Sequence, residues 1–331
     1  MNETTYDLAP AKKTFSRIGL ALCAILVIAT VLSALWFGIP GAFLEEDHWF
    51  NTSASWMWLG MMVPMYLVAV PLGALILRKL PAQQPEKTSL SLKEFLTYLP
   101  MCICLMYSGN IIGTSLSQYL SGGTAENVVV EAAMDNSPLK IIAMVVFAPV
   151  VEEWLCRKLI IDRTRQYGEK AAVFLSAFVF GLLHQNLFQF FYAFGLGLLF
   201  AYIYIRTGRL RYPILLHAFI NFLGSVVAPW LLSNLDLAAL ESLDPNASAE
   251  ALAEIMAPIL PGLLVYLLYA LLLLGCTIWG MILLALKGTK LTWEEPESRL
   301  PKGTTFKTAY LNGGMVLYIL LCVGTTVLTL L

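Results

Sequence analysis

Pro149-Val150-Val151-Glu152-Glu153-Trp154-Leu155-Cys156-Arg157 lies inside an otherwise apolar run from Leu139 to Ile161. Two adjacent carboxylates and a guanidinium thus sit in a segment long enough to cross a bilayer. Insertion scales put an isolated charge at the centre of such a helix at roughly +2.5 to +3.5 kcal/mol. Charged groups at that depth face a protein interior or a water-filled cavity, and by default they are functional. The rest of the chain reads as a container for this stretch.

The composition agrees. The 331 residues are 58% hydrophobic and only 13% charged, with a mean hydropathy of +0.73. A soluble domain carries roughly 25% charged residues. No polar stretch between apolar runs is long enough to build a separate soluble core. The formal net charge is -1, and no nucleic-acid partner is expected. Cys23, Cys102, Cys104, Cys156, Cys276 and Cys322 all fall in apolar runs and read as small apolar packers. Cys102-Ile103-Cys104 lacks the spacing of a zinc or redox motif.

Outward from the opening stretch, hydropathy marks spans at Ile18–Ile39, Trp56–Leu77, Phe95–Leu116, Leu139–Ile161, Ala171–Leu187, Phe188–Ile205, Pro213–Leu232, Ala257–Leu286 and Ala309–Leu331. The expected fold is an all-α polytopic integral membrane protein, a bundle of about nine (eight to nine) transmembrane helices. The first apolar run is longer than the roughly 7–15 residues of a cleaved signal peptide, so a retained helix is expected. The run Ala171–Ile205 would be roughly 52 Å long as one helix, too long for one crossing. A hairpin is therefore expected, turning at His184-Gln185-Asn186 and Gln189. The chain divides into three parts: a tail and three helices (1–138), a core of four helices (139–230), and an acidic loop with the last helices (231–331).

Charge gives an orientation. Lys12, Lys13 and Arg17; Arg78, Lys79, Lys87 and Lys93; Arg157 to Lys170; Arg206 to Arg211; and Lys287 to Lys307 all fall on one face if nine helices alternate. The opposite loops carry Glu45, Glu46 and Asp47, then Glu126, Glu131 and Asp135, then Asp236, Glu241, Asp244, Glu250 and Glu254, with Lys140 their one basic residue. The positive-inside rule then places the N-terminus in the cytoplasm and the C-terminus outside, in a plasma or cell membrane. The last span is the weak member of this count, because Asn312, Gly313 and Gly314 interrupt it. Ala193, Gly197 and Ala201 form a small-residue stripe that lets another helix approach closely.

Apart from tyrosines, the ionisable residues well inside the spans are Glu152, Glu153, Arg157, His184 and His217, on three helices, which suggests one convergent site. Glu153 and Arg157 are spaced i,i+4 on one helical face and suit an ion pair. Glu152 has Cys156 at that spacing and no local cation. An unpaired carboxylate drawn out of water is the better general base near neutral pH. Pro149 should kink the helix and free the carbonyl of Val145. Phe180 and His184 share one face, as do His217 and Asn221. These groups could hold a water, stabilise an oxyanion or bind a metal. The plainer readings are structural: hydrogen-bonded packing histidines and a stabilising Glu153–Arg157 pair. His48, in an acidic loop, is expected to carry no chemistry.

Three short patterns now stand in order on separate helices: Glu152-Glu153-x-x-x-Arg157, Phe180-x-x-x-His184 and His217-x-x-x-Asn221. Together they resemble the CPBP family of intramembrane proteases, which includes type II CAAX prenyl proteases and bacteriocin-processing enzymes. The resemblance covers roughly Leu139 to Trp230. It implies hydrolysis of a peptide bond at membrane depth, in a membrane-associated and in some cases lipidated peptide or protein, at a site open to the cytoplasm. By this analogy Glu152 activates water, His184, His217 and Asn221 position it or stabilise the oxyanion, and Glu153 and Arg157 organise the helix. A metal-free glutamate mechanism with no cofactor is expected; the alternative is a catalytic zinc on Glu152, His184 and His217. A non-catalytic immunity or scaffold protein is the competing function. An ion-coupled transporter is disfavoured by the lack of inverted-repeat signals.

Overall fold

The computed structural model describes residues 7–135, 137–236 and 248–331; Glu241 and Asp244 of the last acidic loop lie outside them. Every apolar stretch is helical, and the described residues contain no strand. The helices are α1 (Ala9–Phe43), α2 (Ala54–Leu77), α3 (Leu92–Leu120), α4 (138–164), α5 (Glu169–Leu183), α6 (Leu187–Thr207), α7 (Arg211–Ser233), α8 (Ala249–Gly288) and α9 (Gly313–Leu328). A short helix, Val128–Met134, precedes α4.

Six of these, all but α4, α5 and α9, are long and apolar enough to cross a membrane on their own. The other three depart from the nine expected spans for physical reasons. The middle of α4 carries the charged site, while α5 has 15 residues and α9 has 16. At 1.5 Å per residue those two span only ~22–24 Å, short of a ~30 Å hydrocarbon core. The protein is an all-α polytopic membrane protein.

Local signals set the boundaries. Ser91 and Glu94 form a reciprocal capping box at the start of α3. The expected hairpin turn forms: Gln185 adopts φ 53°, and the Asn186 side chain accepts from the Gln189 N–H to start α6. Gly208, at φ 58°, closes α6. The small-residue stripe does what its spacing suggests. Ala193 and Ala201 are fully buried, and a Cβ on Gly197 would lie 2.9 Å from the Ala177 Cα of α5. The glycines that weaken the last span in sequence are a packing device. Asn312 caps α9, and Gly314 lies so close to the Ser16 carbonyl of α1 that no side chain fits.

The basic loops meet at one end of the bundle, its basic end. Arg163 donates to the Leu77 carbonyl, Arg165 to Gln84 and Arg209 to Thr88, while the Leu300 N–H donates to the Tyr167 carbonyl. Glu169 accepts from Arg165 and Arg206, and Arg165 also reaches Glu294 beyond α8. At the other, acidic end, Trp58 donates to Asp135, and the Lys140 ammonium donates to the Ala133 carbonyl at 2.7 Å.

Four wide π turns lie near the motif residues: 63–69 in α2, 142–147 and 154–161 in α4, and 223–227 in α7. A proline stands two residues after three of them: Pro71, Pro149 and Pro229. A proline has no N–H to donate, so the ladder can slip locally from i→i−4 to i→i−5. In α4 the Ala148 N–H bonds the Ala143 carbonyl. The orphan created by Pro149 is therefore the carbonyl five residues back, on Met144, and not that of Val145. Asn221 of α7 donates its side-chain amide to it at 2.7 Å.

Candidate active site

The three motifs converge as their order suggests. Glu153 and Arg157 pair within α4: Arg157 Nε donates to Oε2 at 2.8 Å and Nη2 to Oε1 at 3.3 Å, with both side chains fully enclosed. Arg157 Nη1 donates to Ser176 of α5 at 2.7 Å, and Ser176 donates to the Cys156 carbonyl. The Phe180 ring completes the nest. Its centroid lies 4.9 Å from the guanidinium carbon, 5.2 Å from the His184 ring and 5.4 Å from the His217 ring, edge-on to both imidazoles. The aromatic of the second motif thus packs against the chemistry-bearing groups of all three.

The structure adds a partner that spacing did not. Glu153 Oε1 also lies 3.1 Å from His217 Nδ1. A carboxylate has about four lone-pair positions, so the arginine does not exhaust it. An ionised carboxylate only accepts, so Nδ1 carries the proton and Nε2 is left open. Nε2 points toward Glu152, 3.9 Å from Oε2. His184 is fixed in the same way. Its Nδ1 lies 2.8 Å from the Phe180 carbonyl, an acceptor, so its Nε2 is again the open nitrogen.

Glu152 is not the partnerless acid expected from spacing. Tyr66 of α2 donates its hydroxyl to Oε1 at 2.8 Å. This partner escapes a reading of the sequence, since an intramembrane tyrosine looks like ordinary packing. Its only signal is a polar atom in an apolar run between Pro64 and Pro71. No lysine or arginine of α4 pairs with Glu152, and its side chain keeps 18% exposure, against none for Glu153.

That exposure is to a chamber of about 550 Å³. Glu152, His184, His217, Asn221, Tyr66 and Tyr192 all line it, together with a methionine-rich wall of Met61, Met62, Met65, Met106 and Met144. Arg157 and Glu153 lie beneath its floor. The three donors named for a zinc share the chamber, and their open lone pairs are of a type zinc accepts. Among the described residues, however, no three His, Cys, Asp or Glu side chains converge closely enough to ligate one ion.

No residue of the basic loops lines the chamber. Its walls run toward the acidic end, where Asn127, Val128, Val129, Val130, Ala132 and Ala133 line it. The reason lies in helix geometry. Glu152 stands twelve residues above the basic end of α4, and His184 fifteen above that of α5, or ~18 and ~22 Å. Below them the space is filled by the Arg157 nest, Leu155, Ile160 and Phe200, all buried.

A carboxylate, two imidazoles and an amide thus gather around one chamber in a polytopic helical protein, a set of groups able to hold and polarise a water. Residues 135–223 match the family model for type II CAAX prenyl endopeptidase Rce1-like proteins. The chain is 27% identical over 195 residues to YdiL of Bacillus subtilis (strain 168), provisionally named a membrane peptidase, covering 56% of this chain and 76% of that protein. It is 28% identical over 189 residues to the membrane-embedded CAAX protease MroQ of Staphylococcus aureus (strain USA300), covering 52% and 74%. No solved structure matches it. The match through residues 135–223 takes in all three motifs. Membrane protease activity on a peptide or protein is the function this likeness suggests.

Proposed function

We propose that the protein is an intramembrane endopeptidase of the glutamate type, hydrolysing a peptide bond of a membrane-associated or lipidated polypeptide. The observation that carries this is the contrast within the Glu pair. Glu153 is enclosed between Arg157 and His217, whereas Glu152 faces the chamber with Oε2 turned toward an open imidazole nitrogen.

Glu152 takes a proton from a water that donates one hydrogen to Oε2 and the other to the Nε2 of His217 or His184. Tyr66 holds the other carboxylate oxygen and fixes the direction of the lone pair that acts as base. The tautomers limit which groups can stabilise the intermediate. Neutral His184 and His217 offer Nε2 as an acceptor, so either stabilises an oxyanion only after gaining a proton. Asn221 has two amide hydrogens and spends one on Met144. The other makes it the neutral donor for the tetrahedral oxyanion. Glu153 and Arg157 position His217 and α5. On this reading no metal or cofactor takes part, and the positive-inside rule puts the N-terminus in the cytoplasm of a cell-membrane protein.

The test is membrane proteomics on cells making wild-type protein or Glu152→Gln, with unfolding of both measured in detergent. The variant should unfold like wild type and leave substrates uncut. Cleavage by Glu152→Gln at the wild-type rate overturns the role of Glu152. Stoichiometric zinc in the purified protein, with activity lost on chelation and restored by zinc, overturns the metal-free mechanism.

A further inference from the structure

The positions of the chamber walls and of the loop charges bear on where the substrate comes from. The chamber-lining residue of α2 nearest the basic end is Val70, and that of α7 is His217. Toward the acidic end the lining continues through Trp58 of α2, Asn110 of α3, Gln189 of α6 and Ser225 of α7 to the short helix Val128–Met134. No residue of the basic loops lines it. At the basic end, the loops are tied across one another by Arg163, Arg165, Arg206 and Arg209. Between those loops and the chamber lie the enclosed Glu153–Arg157 pair and the buried Phe180 and Phe200 rings. A peptide reaching Glu152 from the basic face would have to break this network. From the acidic face it meets only the chamber and the short helix at its rim, whose Val128, Val129 and Val130 line the cavity, Val128 and Val130 being exposed as well.

We infer that the chamber takes its substrate from the acidic face, which the positive-inside rule makes extracytoplasmic. Its substrate class is then a polypeptide segment presented at the outer leaflet after export, rather than a cytoplasmic C-terminus. This rests on the proposed site but not on its catalytic competence. The short helix Val128–Met134, tethered by Lys140 to the Ala133 carbonyl and by Asp135 to Trp58, is the wall a substrate must pass.

Sidedness can be read without a substrate. Met144→Cys places a thiol in the chamber, and Lys302→Cys places one on an exposed loop of the basic end. Right-side-out and inverted membrane vesicles are treated with a sulfonated, membrane-impermeant maleimide, and labelling is counted above that of the parent protein. The expected result is Met144→Cys labelled in right-side-out vesicles and Lys302→Cys in inverted ones. Labelling of both from the same side overturns the inference, as does failure of Met144→Cys to react from either side while Trp230→Cys, exposed near the acidic end, reacts in right-side-out vesicles. Because labelling needs no turnover, Glu152→Gln in the Met144→Cys background should label alike. An inactive protein and a wrongly assigned face therefore give different results.

Discussion

Replacing Arg157 with Met tests the nest beneath the chamber most directly. In wild type the Glu153–Arg157 pair is i,i+4 within one helix, and membrane helices persist when a bundle is taken apart in SDS. The pair therefore exists in both states and contributes little to the difference between them. The contacts that assembly adds are Arg157 to Ser176, Glu153 to His217 and the guanidinium over Phe180. Interhelical hydrogen bonds in membrane proteins average about 0.6 kcal/mol and reach about 1.7, so Ser176→Ala should cost about 1 kcal/mol. Arg157→Met is different, because it leaves the Glu153 carboxylate enclosed at zero exposure without its cation. Breaking a buried pair from one side costs about 3–5 kcal/mol. Glu153→Gln added to Arg157→Met removes the orphan charge while its amide oxygen still accepts from His217, and should recover most of that loss. The assay is reversible unfolding in mixed SDS micelles, run on the four proteins of the cycle. Arg157→Met within about 1 kcal/mol of wild type, or a double variant whose cost is the sum of the singles, would refute the account.

Three further outcomes rest on single contacts. Tyr66→Phe removes a hydrogen bond to a charged acceptor, worth about 1.5–3 kcal/mol. If that bond aims Glu152, kcat should fall about ten- to hundred-fold with KM little changed, and a KM effect alone would make Tyr66 a binding residue. Asn221→Ala leaves the Met144 carbonyl without a partner at membrane depth, and SDS unfolding should show a loss of about 1–2 kcal/mol. Its activity should fall as well, because the oxyanion loses its neutral donor, and cleavage at the wild-type rate would remove Asn221 from the chemistry. Gly314→Ala puts a methyl against the Ser16 carbonyl, and overpacking of about 1–3 kcal/mol should appear as a lower unfolding midpoint; an unchanged midpoint would mean that α9 does not pack on α1 in this way.

Much of the site was legible because its parts repeat at helical spacing. Glu153 with Arg157, Phe180 with His184 and His217 with Asn221 are all i,i+4 pairs, and periodicity alone puts each pair on one face. What the sequence hid was the number of partners each group accepts. Glu153 looked satisfied by Arg157, yet a free lone pair also fixes His217. Glu152 looked unpartnered because Tyr66 lies 86 residues away on α2, a distance no local pattern reports. The carbonyl freed by Pro149 was displaced by one position because the helix widens there, and a proline in sequence does not reveal which ladder it interrupts. The short length of α5 was hidden too. Hydropathy divided Ala171–Ile205 correctly into a hairpin, but its turn falls within the depth of the bundle, and this carries His184 toward the acidic end.

The wide turn at 142–147 also lets α4 absorb a change in length. It stores one residue more than regular α-helical bonding needs. Deleting a single residue there would let the narrower ladder resume with both flanks close to their present phase, so Lys140 would keep the Ala133 carbonyl and the wall built from Val128–Met134 would keep its tether. A deletion in the regular turn at 148–151 has no such reserve. It would rotate the start of α4 by about 100° relative to Glu152 and swing Lys140 off that carbonyl. Loss of one codon would thus act on admission to the chamber only where the helix has no surplus residue to give up.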